Sequence, residues 1–317
     1  MLYSILKIPA RLLFRLYCRR LIAPDKKILA QKGPLLIAAN HPNSLLDAII
    51  VSALFSAPVY SLARGDVFNN KRIGHILRKL NILPVYRIRE GADKLMDNYE
   101  TFDSCIEIFK KNGIVLIFSE GLCINEWHLR PLKKGTARMA LQAWDANIPL
   151  KILPLAINYS NFGKLGKDIH VYAGELIQMS DISGENFGTR VQQINQKISD
   201  ALKTRVYEIP KTDEQKHNQY FNSKQRSILR TMARIPGILG ALLYLPLYLP
   251  SWWIAEKYFK KNDHYDSVIT GFLFLLCIPY WVILAGLTWH FWGLLPALIL
   301  LIALPLLARC SILMTKG

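Results

Sequence analysis

Acidic side chains are scarce in this sequence. The chain holds 23 Asp and Glu against 40 Lys and Arg, a formal net charge of +17 over 317 residues. An excess of that size draws in polyanions: nucleic acid, an anionic membrane face or phosphorylated substrates. Nucleic acid is the weaker choice, because the charges flank apolar segments and no nucleic-acid motif occurs. Paired cysteines are also missing. Cys18, Cys105, Cys123, Cys277 and Cys310 never fall in C-x-x-C spacing. That argues against a disulfide framework and a zinc knuckle, and it fits a reducing, cytoplasm-facing compartment. No metal and no cofactor is expected. The N-terminus does not read as a signal peptide, since Lys7, Arg11, Arg15, Arg19 and Arg20 break its apolar residues. Neither an internal repeat nor a low-complexity tract occurs.

Apolar residues are plentiful. They make up 51% of the chain, with a mean hydropathy of +0.18. The excess is concentrated after about Ile235, so that part is expected to meet lipid. Within residues 1–29, Arg11 and Arg15 fall opposite Leu6, Leu13, Leu16 and Tyr17 on a helix. This pattern predicts a basic amphipathic helix along an anionic membrane surface. The alternative is a helix packed on the protein's own core with a solvated basic face.

Residues 30–208 alternate strands and helices. Segments 34–39, 58–63, 83–86, 114–118, 152–157 and 169–172 read as strands; 93–112, 135–147 and 191–206 carry helical spacing. The predicted fold is α/β, a mixed, largely parallel sheet flanked by helices. Residues 209–317 form a C-terminal helical membrane region. Segment 235–255 is broken by prolines and glycines and is basic on both flanks, which favours an interfacial or re-entrant path over a simple crossing. Segments 268–287 and 291–308 are each about long enough to cross a bilayer, and an aromatic turn joins them. They predict a transmembrane hairpin, 268–308, with both ends in the cytoplasm.

The strongest chemical signal is N-H-P-N-S-L-L-D, residues 40–47, directly after a strand. A histidine is the natural general base near neutral pH, and a carboxylate on the next helix can fix its tautomer. His41 and Asp47 therefore read as the His–Asp half of a triad. The serine half is missing, since no G-x-S-x-G occurs. The nucleophile is then an incoming hydroxyl. Three weaker signals follow: Arg87 at a strand end, F-S-E-G with Glu120 and Gly121, and R-P-L-K-K-G with Arg130, Lys133 and Lys134 before a helix start.

Together and in this order these blocks resemble the glycerol-3-phosphate and lysophosphatidic acid acyltransferase family, over roughly residues 30–175. The resemblance implies His41 as base, Asp47 as its partner, Arg87 on a phosphate, and Glu120 and Gly121 at the acceptor. It implies acyl-CoA or acyl-ACP as donor and a glycerol-phosphate or lysophospholipid as acceptor, a lyso-aminolipid being the variant reading. Two departures stand out. Five residues, not four, separate His41 from Asp47, and Leu122-Cys123 replace the usual Thr-Arg. Arg130, Lys133 or Lys134 then stands in for the missing arginine. Two other readings stay open: a scaffold that binds anionic membrane lipid without catalysis, and a thioesterase with water as acceptor.

Overall fold

The computed structural model describes residues 2–86, 92–221, 227–260 and 263–315. In chain order the elements are α1 (Leu2–Tyr17), β1 (Arg20–Ile22), α2 (Lys26–Leu29), β2 (Leu35–Ala39), α3 (Ser44–Leu54), β3 (Val59–Arg64), α4 (Lys71–Lys79), β4 (Ile82–Val85), α5 (Ala92–Lys110) and β5 (Ile114–Phe118). They continue with α6 (Gly135–Asp145), β6 (Lys151–Tyr159), β7 (Asp168–Ala173), α7 (Phe187–Lys203), α8 (Glu214–Phe221), α9 (Ser227–Met232), α10 (Arg234–Phe259), α11 (Tyr265–Trp292) and α12 (Leu294–Met314).

The strands form one sheet in the order β1-β7-β6-β2-β5-β3-β4. Strands β2 to β6 run parallel, β7 pairs antiparallel with β6, and β1 pairs parallel with β7. The mixed, largely parallel sheet expected from the sequence is therefore present. Strand β1 was not expected, because three residues of an edge strand carry too short a pattern to read. Pro84 lies on the edge strand β4, where a missing N–H is tolerated.

Strand β2 shows why the sheet needs two helical layers. All five of its residues are fully buried. Leu35, Ile37 and Ala39 pack with Leu46, Ile50 and Val51 of α3 on one face. Leu36 and Ala38 join Met139, Ala140 and Trp144 of α6 and Ile194 and Ile198 of α7 on the other. The crossover from β2 thus leaves over one face, and the crossover from β5 through α6 leaves over the opposite face. The carboxyl ends of neighbouring β2 and β5 therefore mark a switch point of the sheet, the kind of place where α/β folds bind ligands.

Helix α1 carries the basic and apolar residues the sequence promised, with a different division of labour. Lys7 donates to the carbonyls of Ser56 and Ala57, and Arg11 donates to those of Ala53 and Phe55. These cations complement the carboxyl end of α3. Ile5, Leu6, Ile8 and Leu12 are exposed along with Arg11 and Arg15, while Leu13, Phe14 and Tyr17 are buried. The outward face thus mixes apolar and basic residues.

Helices α10, α11 and α12 are each long and apolar enough to cross a membrane, at 26, 28 and 21 residues. The hairpin α11–α12 has both ends built into the α/β domain. Arg309 near the end of α12 donates to the carbonyls of Arg15, Cys18 and Arg19, closing the carboxyl end of α1. Segment 235–255 lies within the one helix α10. Its start packs on the end of α12, with Gly237 against Cys310 and Gly240 against Leu307, where a Cβ would meet backbone. Its last turns meet the start of α11, with Trp252 and Glu256 at the Tyr265 hydroxyl. Both ends of α10 thus adjoin the domain-side ends of the hairpin.

Candidate active site

The turn after β2 is fixed by its asparagine. Asn40 is buried, donates to the Ile157 carbonyl at 3.0 Å and accepts from the Ile157 amide at 2.8 Å. Its amide thus mimics a backbone partner for β6 just as β2 ends. The chain then turns away through His41 and Pro42. Asn43 (φ −145°, ψ 47°) precedes Ser44, which sits at φ 49°, a left-handed conformation rare for a serine. That turn absorbs the additional residue between His41 and Asp47 before α3 settles into regular geometry.

The result joins the two side chains. His41 Nδ1 lies 2.8 Å from Asp47 Oδ2; the imidazole is 19% exposed and the carboxylate is fully buried. Asp47 Oδ2 also accepts the Asn43 amide at 2.8 Å, and Oδ1 accepts the Tyr159 hydroxyl at 2.6 Å. Three donors thus hold one carboxylate. Burial, then the neighbouring Asp47 charge, pushes the Tyr159 hydroxyl well above its usual range, so it stays a donor. Because Nδ1–H faces the carboxylate, Nε2 is left with its lone pair. The imidazole also stacks on Phe118 at the end of β5, with ring centres 3.8 Å apart and planes 9° from parallel.

Glu120 follows one turn past Phe118. Its Oε2 accepts the His41 amide and its Oε1 accepts the Arg130 amide, both at 2.9 Å. The carboxylate therefore ties the His41 loop to the loop that carries the basic cluster. Burial raises its carboxyl above the ordinary range, and the two amides pull it partly back. Gly121 takes φ +64°, and a Cβ there would press on the Lys133 side chain. Lys133 and Lys134 are exposed, with Lys134 immediately before the start of α6. The Arg130 side chain lies 2.5 Å from Glu126. Arg87 lies outside the described residues. Among the described residues no cluster of three or more His, Cys, Asp or Glu side chains is placed to hold a metal ion.

Several residues of the site escaped the sequence reading. Tyr159 is the last residue of β6, and its hydroxyl was the only hint. Cys123 accepts the Ser44 amide at 3.0 Å, and His264 hydrogen-bonds the Ser44 hydroxyl. Burial pushes the Cys123 thiol up, so it stays protonated. His264, Asp266 and Ser267 come from the start of a helix more than two hundred residues away, which no local pattern announces.

A buried carboxylate behind a half-open imidazole, beside a basic loop, suits removal of a proton from a hydroxyl near an anionic group. Residues 21–158 match the family model Acyltransferase. The match includes His41, Asp47 and Glu120 with the strands that present them. Over that stretch, less than half of the chain, the sequence is similar to an acyltransferase domain. A curated relative of this O-acyltransferase is the 1-acyl-sn-glycerol-3-phosphate acyltransferase of Bacillus subtilis, 25% identical over 181 residues, which span 56% of this chain and 85% of that one. A crystal structure of the 1-acyl-sn-glycerophosphate acyltransferase PlsC from Thermotoga maritima superposes with a TM-score of 0.44 at 11% identity, over 64% of this chain and 78% of that one.

Proposed function

We propose that this acyltransferase moves a fatty acyl group from acyl-CoA or acyl-ACP to the free hydroxyl of lysophosphatidate or glycerol-3-phosphate at a membrane surface. The observation that carries the reading is the His41–Asp47 pair, with a buried carboxylate and a partly open imidazole, just past the carboxyl end of β2.

His41 Nε2 takes the proton of the acceptor hydroxyl. The hydroxyl oxygen attacks the thioester carbonyl, and the tetrahedral intermediate expels the thiolate, which takes that proton back from His41. No covalent acyl-enzyme forms. Asp47 stays ionised and faces the imidazolium as it develops. Lys133, Lys134, Arg130 and Arg87 supply the cations for the acceptor's phosphate. Glu120 contributes by fastening His41 to that basic loop, since both its oxygens face backbone amides. Gly121 permits the turn between them.

The hairpin α11–α12 crosses the bilayer, and the catalytic domain lies on the cytoplasmic face. Helix α10 lies along that face or dips into it and returns, because both its ends adjoin the domain side of the hairpin. The exposed apolar residues of α1 enter the same leaflet.

The test supplies purified protein in vesicles with labelled acyl-CoA or acyl-ACP and, separately, glycerol-3-phosphate, lysophosphatidate and a lyso-aminolipid. The reading expects label in the product of a phosphate-bearing acceptor. Label only in free fatty acid, with or without acceptor, would establish a thioesterase. Binding of the donor without turnover would establish a scaffold.

A further inference from the structure

The loop between His41 and Asp47 is one residue longer than the spacing of the family it resembles, and the structure shows what holds the surplus in place. Asn43 is fully buried. Its amide N–H goes to Asp47. Its side-chain Nδ2 donates to Asp266 Oδ2 at 2.7 Å, and its carbonyl accepts the Ser267 hydroxyl at 3.2 Å. The Ser267 oxygen also accepts from the Leu46 amide at 3.3 Å, an amide that reaches the Asn43 carbonyl at 3.2 Å as well. Asp266 and Ser267 sit in the first turn of α11.

Asp266 is itself clamped. It is 1% exposed, pairs with the fully buried Lys167, and accepts the Tyr17 hydroxyl at 3.0 Å. Tyr17 in turn accepts from Thr270 at 3.0 Å. Helix α1, the β6–β7 connection and the hairpin therefore meet at one carboxylate, and that carboxylate grips the catalytic loop. A hydrogen-bonded buried network of this kind has few alternative arrangements.

We propose that Asp266 and Ser267 are positioning residues for acyl transfer. They hold Asn43, and with it the left-handed Ser44, in the conformation that brings His41 to Asp47. The start of the membrane hairpin is thus part of the catalytic apparatus as well as an anchor. This inference rests on the proposed base role of His41 and deepens it.

The experiment measures kcat and KM for donor and acceptor on the full chain in vesicles, with melting temperatures, for Ser267→Ala, Ser267→Thr, Asn43→Ala, Asp266→Asn and, as reference, His41→Ala. Ser267→Ala and Asn43→Ala should each lower kcat about tenfold or more, with both KM values within about twofold, and the lost buried hydrogen bonds should lower melting by a few degrees while leaving the protein folded. Ser267→Thr keeps the hydroxyl and should restore most of kcat. Asp266→Asn leaves Lys167 without its anion and is decisive only if it folds; the Ser267 pair decides in any case. Wild-type kcat in both Ser267→Ala and Asn43→Ala overturns the proposal. So does a rise in KM alone, or Ser267→Thr as impaired as Ser267→Ala. If His41→Ala still transfers acyl groups, the underlying reading fails instead, which separates the two outcomes.

Discussion

Asp47→Asn isolates the charge of the catalytic carboxylate from its hydrogen bonds. Asp47 Oδ2 accepts from His41 and the Asn43 amide, and Oδ1 accepts from Tyr159. An asparagine of the same shape keeps an oxygen toward His41 and Asn43. Tyr159 can rotate its hydroxyl to accept from the new amide group. The hydrogen bonds survive and the negative charge does not. When His41 takes the acceptor's proton it becomes a cation whose charge centre lies about 4 Å from the carboxylate, and at an effective dielectric of about 20 their attraction is about 4 kcal/mol. That corresponds to roughly a thousandfold in rate. The substrate-bound ground state holds a neutral imidazole, so the loss falls on kcat and leaves KM nearly unchanged. The assay is the initial rate of labelled acyl incorporation into lysophosphatidate, with a melting curve for each variant. A kcat within about tenfold of wild type in a folded Asp47→Asn protein, or a change in KM alone, refutes the electrostatic argument. Tyr159→Phe completes a cycle: it should cost about tenfold with Asp47 present and much less in the Asp47→Asn background, since its partner charge is then gone.

Glu120→Gln turns an NH2 group toward the amide of His41 or Arg130, so it should cost about 1–3 kcal/mol of stability and lower kcat/KM, read by melting and by the same transfer assay; an unchanged melt would contradict the tie. Lys167→Met strands the Asp266 carboxylate and should cost about 3–5 kcal/mol, while adding Asp266→Asn should recover most of it; equal losses in single and double variants would sink the pairing. Burial, aided by Arg11, lowers the Lys7 ammonium to about 8 from 10.5. Between those values the unfolded chain binds a proton that the folded chain has released, so Lys7 makes stability rise with pH across that window. Lys7→Met should flatten that rise in denaturation midpoints taken on both sides of it; an unaltered slope counts against the assignment.

Much of the fold was legible because strand and helix periods are local. The apolar runs at 34–39, 114–118 and 152–157 read as buried strands, and they supply β2, β5 and most of β6. The His41–Asp47 pair was legible as chemistry, while its geometry was not, since a helical register places a residue one step further on about 100° away. The answer lay in the backbone of Asn43 and Ser44, whose left-handed turn neither residue type announces. Glu120 was legible as important, and its work on two amides could only be seen in three dimensions. The partners of Lys7 and Arg11 were not legible, because a basic helix face suits anionic lipid and helix carboxyl ends equally, and the contacts with α3 are seen only in the packing of α1. Asp266 and Ser267 were hidden because they begin an apolar helix whose bulk reads as membrane.

The central claim is that His41 is the base for acyl transfer to a phosphate-bearing lipid acceptor. The most direct measurement is mass spectrometry of the lipid formed when purified protein in vesicles receives acyl-CoA and lysophosphatidate, with wild type and a folded His41→Ala variant side by side. The account predicts phosphatidate from the wild type and none above background from the variant. Phosphatidate from both at similar rates would contradict it.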